Sequence, residues 1–302
     1  MDALKREYDR FGPWAIEISE EDPPPRLFEP HVTRPEEPLL AIKVPRHIER
    51  RNAHPGMDLY DYLVCLYQDD LLVLQRVGQE VRSQSCRYGD VKHLRVTRSL
   101  LRGNILLGLP GWSYDLPYNT VSDDLMRRVV AVIRQRYDAP PVGPAPGSES
   151  QVPEGVLSFL FEGLLATERR QQTGMRLRAA QGTVPVWSRD MSAVRRYLFR
   201  AAGKHLLESM HFSDGRELMI LGRGQDYAYR WESIYGVDTW YIPLASIRAV
   251  AWRDDARNRA SELTIQTDAG ESVHVFAQGN PSTGAYGTYL SALPGVAKGR
   301  PA

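Results

Sequence analysis

Apolar and polar positions alternate with period two along most of this chain, the pattern of strands with one buried face. LLAIKVPRHI, beginning at Leu39, puts Leu40, Ile42 and Val44 on one side. LYDYLVCLYQ and DLLVLQRV follow with a turn at Asp69-Asp70, then EVRSQSCRY, then a less regular pair with turn signals at Arg102-Gly103-Asn104 and Leu109-Pro110-Gly111. The period lengthens to that of a helix at SDDLMRRVVAVIRQRY, Ser122 to Tyr137. There Ser122 reads as the N-cap, Asp123 and Asp124 complement the positive end of the helix dipole, and Leu125, Val129, Val132 and Ile133 form an apolar stripe.

The second half runs through the same order of events. HFSDGRELMIL predicts a hairpin about Asp214-Gly215. LTIQTDAGESVHVFA predicts another about Asp268-Ala269-Gly270, with Leu263, Ile265, Val273 and Val275 turned inward. TGAYGTYLSAL is a short closing helix weakened by Gly284 and Gly287. One phrase occurs twice with nearly the same spacing, RYGDVKHLRV (Arg87 to Val96) and PLASIRAVAW (Pro243 to Trp252), which marks two copies of one small domain.

Two stretches break the pattern. Residues 1–35 carry Pro23-Pro24-Pro25, which denies helix, together with Tyr8, Phe11, Trp14 and Phe28; such rings predict an extended arm anchored on a folded surface. Residues 138–155, rich in proline, glycine and serine, read as a linker. The organisation is therefore an acidic, proline-rich arm (1–35), a first domain (36–137), the linker, a second domain (156–296) and a tail (297–302). Within the second domain DMSAVRRYLFRAAGKHLLE reads as an inserted basic helix over 190–208, capped by Asp190.

YGDVKHLRV with its helix 122–137, and IPLASIRAVAW with its helix 281–293, resemble the bacterial pleckstrin-homology-like domains, here in tandem. The resemblance implies a mainly β (α+β) fold of two partial β-barrels, each closed by a C-terminal helix, and binding or scaffolding rather than catalysis. Phosphoinositide recognition by a basic first hairpin does not carry over, because Gln68-Asp69-Asp70 is acidic.

Composition narrows the function further. The 302 residues suffice for two domains with cores of their own, and 38 basic against 37 acidic residues leave charge-driven binding to local patches. The N-terminus is charged where a signal peptide would be apolar, and Cys65 and Cys86 lack metal-ligand spacing, so the expectation is a cytoplasmic protein with two reduced core thiols, peripheral to the membrane at most. His205 and His211 in HLLESMH are too far apart on one helix to share a metal. His47-Ile48-Glu49 has no downstream CxxC, and LGRGQ has neither the third glycine of a dinucleotide loop nor a GK[ST] ending. No cofactor, metal or catalytic residue is expected.

Two surfaces remain. From Glu168 to Lys204 nine basic residues face two acidic ones, and Arg195, Arg196, Arg200 and Lys204 are the positions for an anionic contact, a membrane surface first and nucleic acid as the alternative. The arm, with seven acidic residues between Glu17 and Glu37, is a candidate to screen that patch. Tyr227, Tyr229, Trp231, Tyr235, Trp240 and Tyr241 form the densest aromatic run; Tyr229 and Trp231 are the positions for a protein partner, and cross-strand packing is the plainer use of the row. The expected function is a non-enzymatic adaptor or regulatory module that binds a protein partner, with an enzyme as the remaining alternative.

Overall fold

A computed structural model describes residues 3–136, 149–150, 155–171, 174–186, 203–229, 232–255 and 259–298, and the chain is mainly β. Among the described residues, unit 1 comprises residues through Val91, Arg98–Leu106 and those from Tyr114 to 136; unit 2 comprises Lys92–Thr97, Leu107–Ser113 and those from 149 onward.

Unit 1 opens with α1 (Ala3–Arg10), a helix where the sequence predicts only an extended arm, and β1 (Ile16–Glu17). A five-stranded antiparallel sheet follows in the order β1, β2 (Leu40–Pro45), β3 (Tyr60–Leu66), β4 (Asp70–Val77), β5 (Glu80–Arg87). Both faces of β2 are covered, since Ala41 and Lys43 are buried as fully as Leu40, Ile42 and Val44. The rest of unit 1 comes from parts of β6 (His93–Ser99), β7 (Arg102–Leu109) and β8 (Trp112–Asn119), and from α2 (Asp123–Gln135), which packs on β3 through a face that includes Met126, Val129 and Ile133.

The arm is part of unit 1's core. Phe11 and Phe28 are buried among Tyr60, Leu63, Tyr67 and Leu74. Its charges are spent on the same unit: Glu17 pairs with Arg128 at 2.6 Å, Asp22 with Arg10 at 2.5 Å, and Arg34 forks onto Asp70 at 2.6 and 2.9 Å. Lys43, nearly all buried, donates to the Pro23 carbonyl at 3.0 Å; burial lowers its pKa and Asp22 partly restores it. Ser122 does not cap α2 through its side chain. Its hydroxyl instead accepts from the Ala15 amide at 2.8 Å, so the expected cap is used to hold the arm.

In unit 2, the Lys92–Thr97 stretch of β6 lies beside β15 (Val237–Pro243), followed by β13 (Glu217–Gly222), β12 (Ser209–Ser213) and β9 (Arg176–Gln181). A second sheet has the order β18 (Gly270–Ala277), β17 (Ala260–Thr267), β16 (Ile247–Asp255), β19 (Ala297–Lys298). A small sheet pairs β10 (Val184–Pro185), β11 (Lys204–Leu206) and β14 (Tyr227–Tyr229), and α3 (Phe159–Gln171) and α4 (Ser282–Ser291) complete the unit. Leu218, Ile220, Leu263, Ile265, Phe276 and Leu290 form its apolar core. No sheet among the described residues closes into a barrel.

Both predicted hairpins form, β12 with β13 about Gly215 and β17 with β18 about Asp268-Ala269. In the second the inward set differs from expectation. Leu263 pairs with His274 and Ile265 with Ser272, so His274 and Ser272 face in and Val273 is exposed. The repeated phrase takes one conformation twice: a single 3-10 turn, Tyr88–Asp90 or Leu244–Ser246, runs into an extended Val91 or Ile247 that is buried in each copy.

Candidate functional site

Of the residues chosen for an anionic contact, Arg195, Arg196 and Arg200 lie outside the described residues, as does Trp231. The expected helix 190–208 fails at its end: Lys204, His205 and Leu206 are strand β11, because they hydrogen-bond against Tyr229, Ala228 and Tyr227. Lys204 thus stands directly opposite Tyr229, and its ammonium sits 4.1 Å from the Tyr227 ring centroid. Tyr229 remains exposed beside it. Two further cations of the basic segment are engaged within unit 2, while Arg170 and Arg176 are exposed. Arg169 pairs with Glu149 at 2.8 Å, and Arg178 is buried beneath the Tyr289 ring at 4.3 Å.

Unit 1 carries a groove of about 1200 Å³. One wall is the arm segment from Phe11 to Trp14, and the other is the end of β2 with the residues after it, Val44 to Arg50. Tyr62 on β3, Leu101 to Gly103 and Pro117 to Asn119 supply the remaining lining. Two close approaches shape it. A β-carbon on Gly12 would lie 2.4 Å from the Trp14 ring, and one on Gly103 would lie 2.2 Å from the Tyr118 ring, so each ring rests directly on a glycine.

The lining is largely apolar and partly exposed. Trp14 is 43% and Leu101 65% accessible, and the adjoining Leu100, at φ +50°, is 70% accessible. β1 pairs with β2 at Ile42 and Lys43, and Pro45, two residues further on, has no N–H to offer an added strand. Pro13, Pro45 and Pro117 line the groove together with Trp14, Tyr62 and Tyr118. At its margin Arg46 and Arg76 share Asp61, and Arg50 donates to the Phe11 carbonyl beneath Tyr8. Arg102 and His47 are exposed there.

Sequence reasoning missed this groove because its lining comes from five separated segments. The turn expected at Arg102-Gly103-Asn104 forms instead at Leu100-Leu101, since Arg102 already begins β7, and this places two leucines at the groove's edge. The cysteines offer no chemistry. Both are free and buried, and burial pushes the Cys65 thiol up to about 11 and the Cys86 thiol up to about 12, far from thiolate at neutral pH. Among the described residues no group of side chains could hold a metal ion, and no helix is long and apolar enough to cross a membrane. Searches found no protein-family model that matches this chain and no curated protein that matches it in sequence.

Proposed function

We propose that the chain is a non-enzymatic recognition module of two pleckstrin-homology-like domains, and that unit 1 binds an extended segment of a protein partner in the groove between Trp14 and β2. The observation that carries the reading is the groove itself, with its exposed Trp14 and Leu101 and its three prolines. A lining of aromatic rings and prolines suits a polyproline-type segment, whose side chains dock without adding a strand. Arg102 and His47 at the margin favour an acidic residue in that segment. A domain-level argument supports the rest. Four strands, three strands and a helix run in succession as β2 to β5, β6 to β8 and α2, and the second half has the same order as β9, β12, β13, β15, then β16 to β18 and α4, once β10, β11 and β14, which interrupt its first four strands and form a small sheet of their own, are set aside.

Arg169 and Arg178 are engaged inside unit 2, so the anionic-surface reading retains fewer cations than the sequence offers, and the proposal rests on the groove instead. Panning displayed peptides on the full chain tests it. Enrichment of proline-bearing apolar peptides is expected on the wild type and on Tyr229→Ala, and is expected to vanish on Trp14→Ala. Enrichment lost with Tyr229→Ala and kept with Trp14→Ala would move the partner site to β14; no enrichment on the wild type would overturn the reading.

A further inference from the structure

In unit 2, α3 is apolar on two sides. Phe161 and Leu165 are buried, with the Arg223 guanidinium 5.0 Å from the Phe161 ring centroid. On the other side lie Phe159, 91% accessible, Leu160, 45% accessible, and the partly buried Leu164, with the exposed Val156 just ahead of the helix. Gly163 stands among them, and a β-carbon there would meet nothing within 4 Å among the described residues. A glycine inside a helix costs about 1 kcal/mol relative to alanine. On this face it opens a notch through which another side chain can approach the α3 backbone.

The start of α3 touches both strands that flank residues 187–202. A β-carbon on Gly182, just before β10, would lie 2.2 Å from the Val156 carbonyl oxygen. Ser158, immediately ahead of α3, donates to Glu208, just after β11, through its amide at 2.9 Å and its hydroxyl at 2.7 Å. β10 and β11 are themselves paired, and the Val186 amide donates to the Lys204 carbonyl at 2.9 Å. Residues 187–202 therefore begin and end at neighbouring points near the start of α3.

In the sequence of that segment Val194, Tyr197, Leu198 and Ala201 share one face at helical period, and Arg195, Arg196 and Arg200 fall off it. At about 1.5 Å per residue, a helix drawn from the segment matches the length of the 13-residue α3. We infer that residues 187–202 cover the outer face of α3, with Val194, Tyr197, Leu198 and Ala201 packed over Phe159, Leu160 and Leu164 about the Gly163 notch. Tethering decides the occupant. A segment fixed at both ends beside the face meets it at an effective concentration of about millimolar, whereas a second copy of the chain pays the full cost of association. The contact is apolar, the three arginines stay outside it, and it is independent of the groove in unit 1.

Hydrogen exchange on the full-length protein tests the inference. Amides of residues 190–202 are expected to exchange at least about tenfold more slowly than in an unstructured chain, and to lose that protection in Phe159→Asp/Leu160→Asp. Both substitutions are at exposed positions, and retained protection of β12 and β13 certifies the fold. Arg196→Glu/Arg200→Glu is expected to leave the segment protected. Unprotected amides in the wild type, protection that survives the α3 variant, or its loss in the arginine variant would overturn the inference. So would protection that arises only as light scattering shows the protein dimerising with concentration, which would give the face to a second copy.

Discussion

The two units use a similar order of strands and helix but fill their interiors by opposite means. Unit 1 buries aliphatic and aromatic side chains and keeps nearly all its ion pairs at the surface, where they fasten the arm; Lys43 is the charged group it encloses. Unit 2 buries Glu208, Asp238, Arg178, His211 and His274 together. Its rings run in contact from His93 to Trp240 to His274 to His211, with Tyr286 accepting or donating at His211 Nδ1 over 3.0 Å. A dry interior tolerates any change of solution conditions that leaves apolar contacts alone. An interior of neutral imidazoles and matched charges is stable only while its protonation is right.

The sharpest separation of the two comes from removing one arm ring. Phe28→Ala should cost about 3–5 kcal/mol, the range for a fully buried aromatic, and hydrogen exchange should report it in β2 to β4 while β12 and β13 stay protected. Next in size is acid. His274 is held at about 3 and His211 well below its ordinary value, chiefly by burial, so as pH falls below about 6.5 the unfolded chain takes protons that the folded one refuses. The stability they contribute is complete above that pH and is lost toward pH 3, at a slope approaching about 1.4 kcal/mol per pH unit for each histidine. Denaturant titrations at pH 7 and pH 5 should therefore show unit 2 weakened and unit 1 nearly unchanged, and His274→Gln should flatten the slope. Equal weakening of both units would erase the contrast. The smallest effect is expected at the groove, where Trp14→Ala, at an exposed position, should change unfolding free energy by no more than about 0.5 kcal/mol while abolishing peptide binding.

Much of this fold is legible in the chain because turns announce themselves. Asp214-Gly215 and Asp268-Ala269-Gly270 fixed two hairpins, and the twice-written phrase marked two equivalent strand starts. Alternation alone, however, does not say which face is buried, and β18 shows the cost: Val273 is outside while Ser272 and His274 are inside. The two-residue turn held the answer, since pairing Thr267 with Gly270 forces His274 opposite Leu263. Lys204 to Leu206 went astray for another reason. Their helical look is local, whereas the partner that makes them a strand is Tyr227–Tyr229, far along the chain. The groove was less legible still, because it assembles distant segments and no short motif records the assembly.

The turn at Leu100 carries a cost in stability that one substitution can measure. A leucine in the left-handed backbone region costs about 1–2 kcal/mol relative to glycine, and this one also leaves most of its side chain in water. Leu100→Gly would relieve both penalties at once, by a single substitution, with no packing to lose. The Leu100→Gly protein, expected to melt higher, is the baseline against which what the leucine does at the edge of the groove can be weighed.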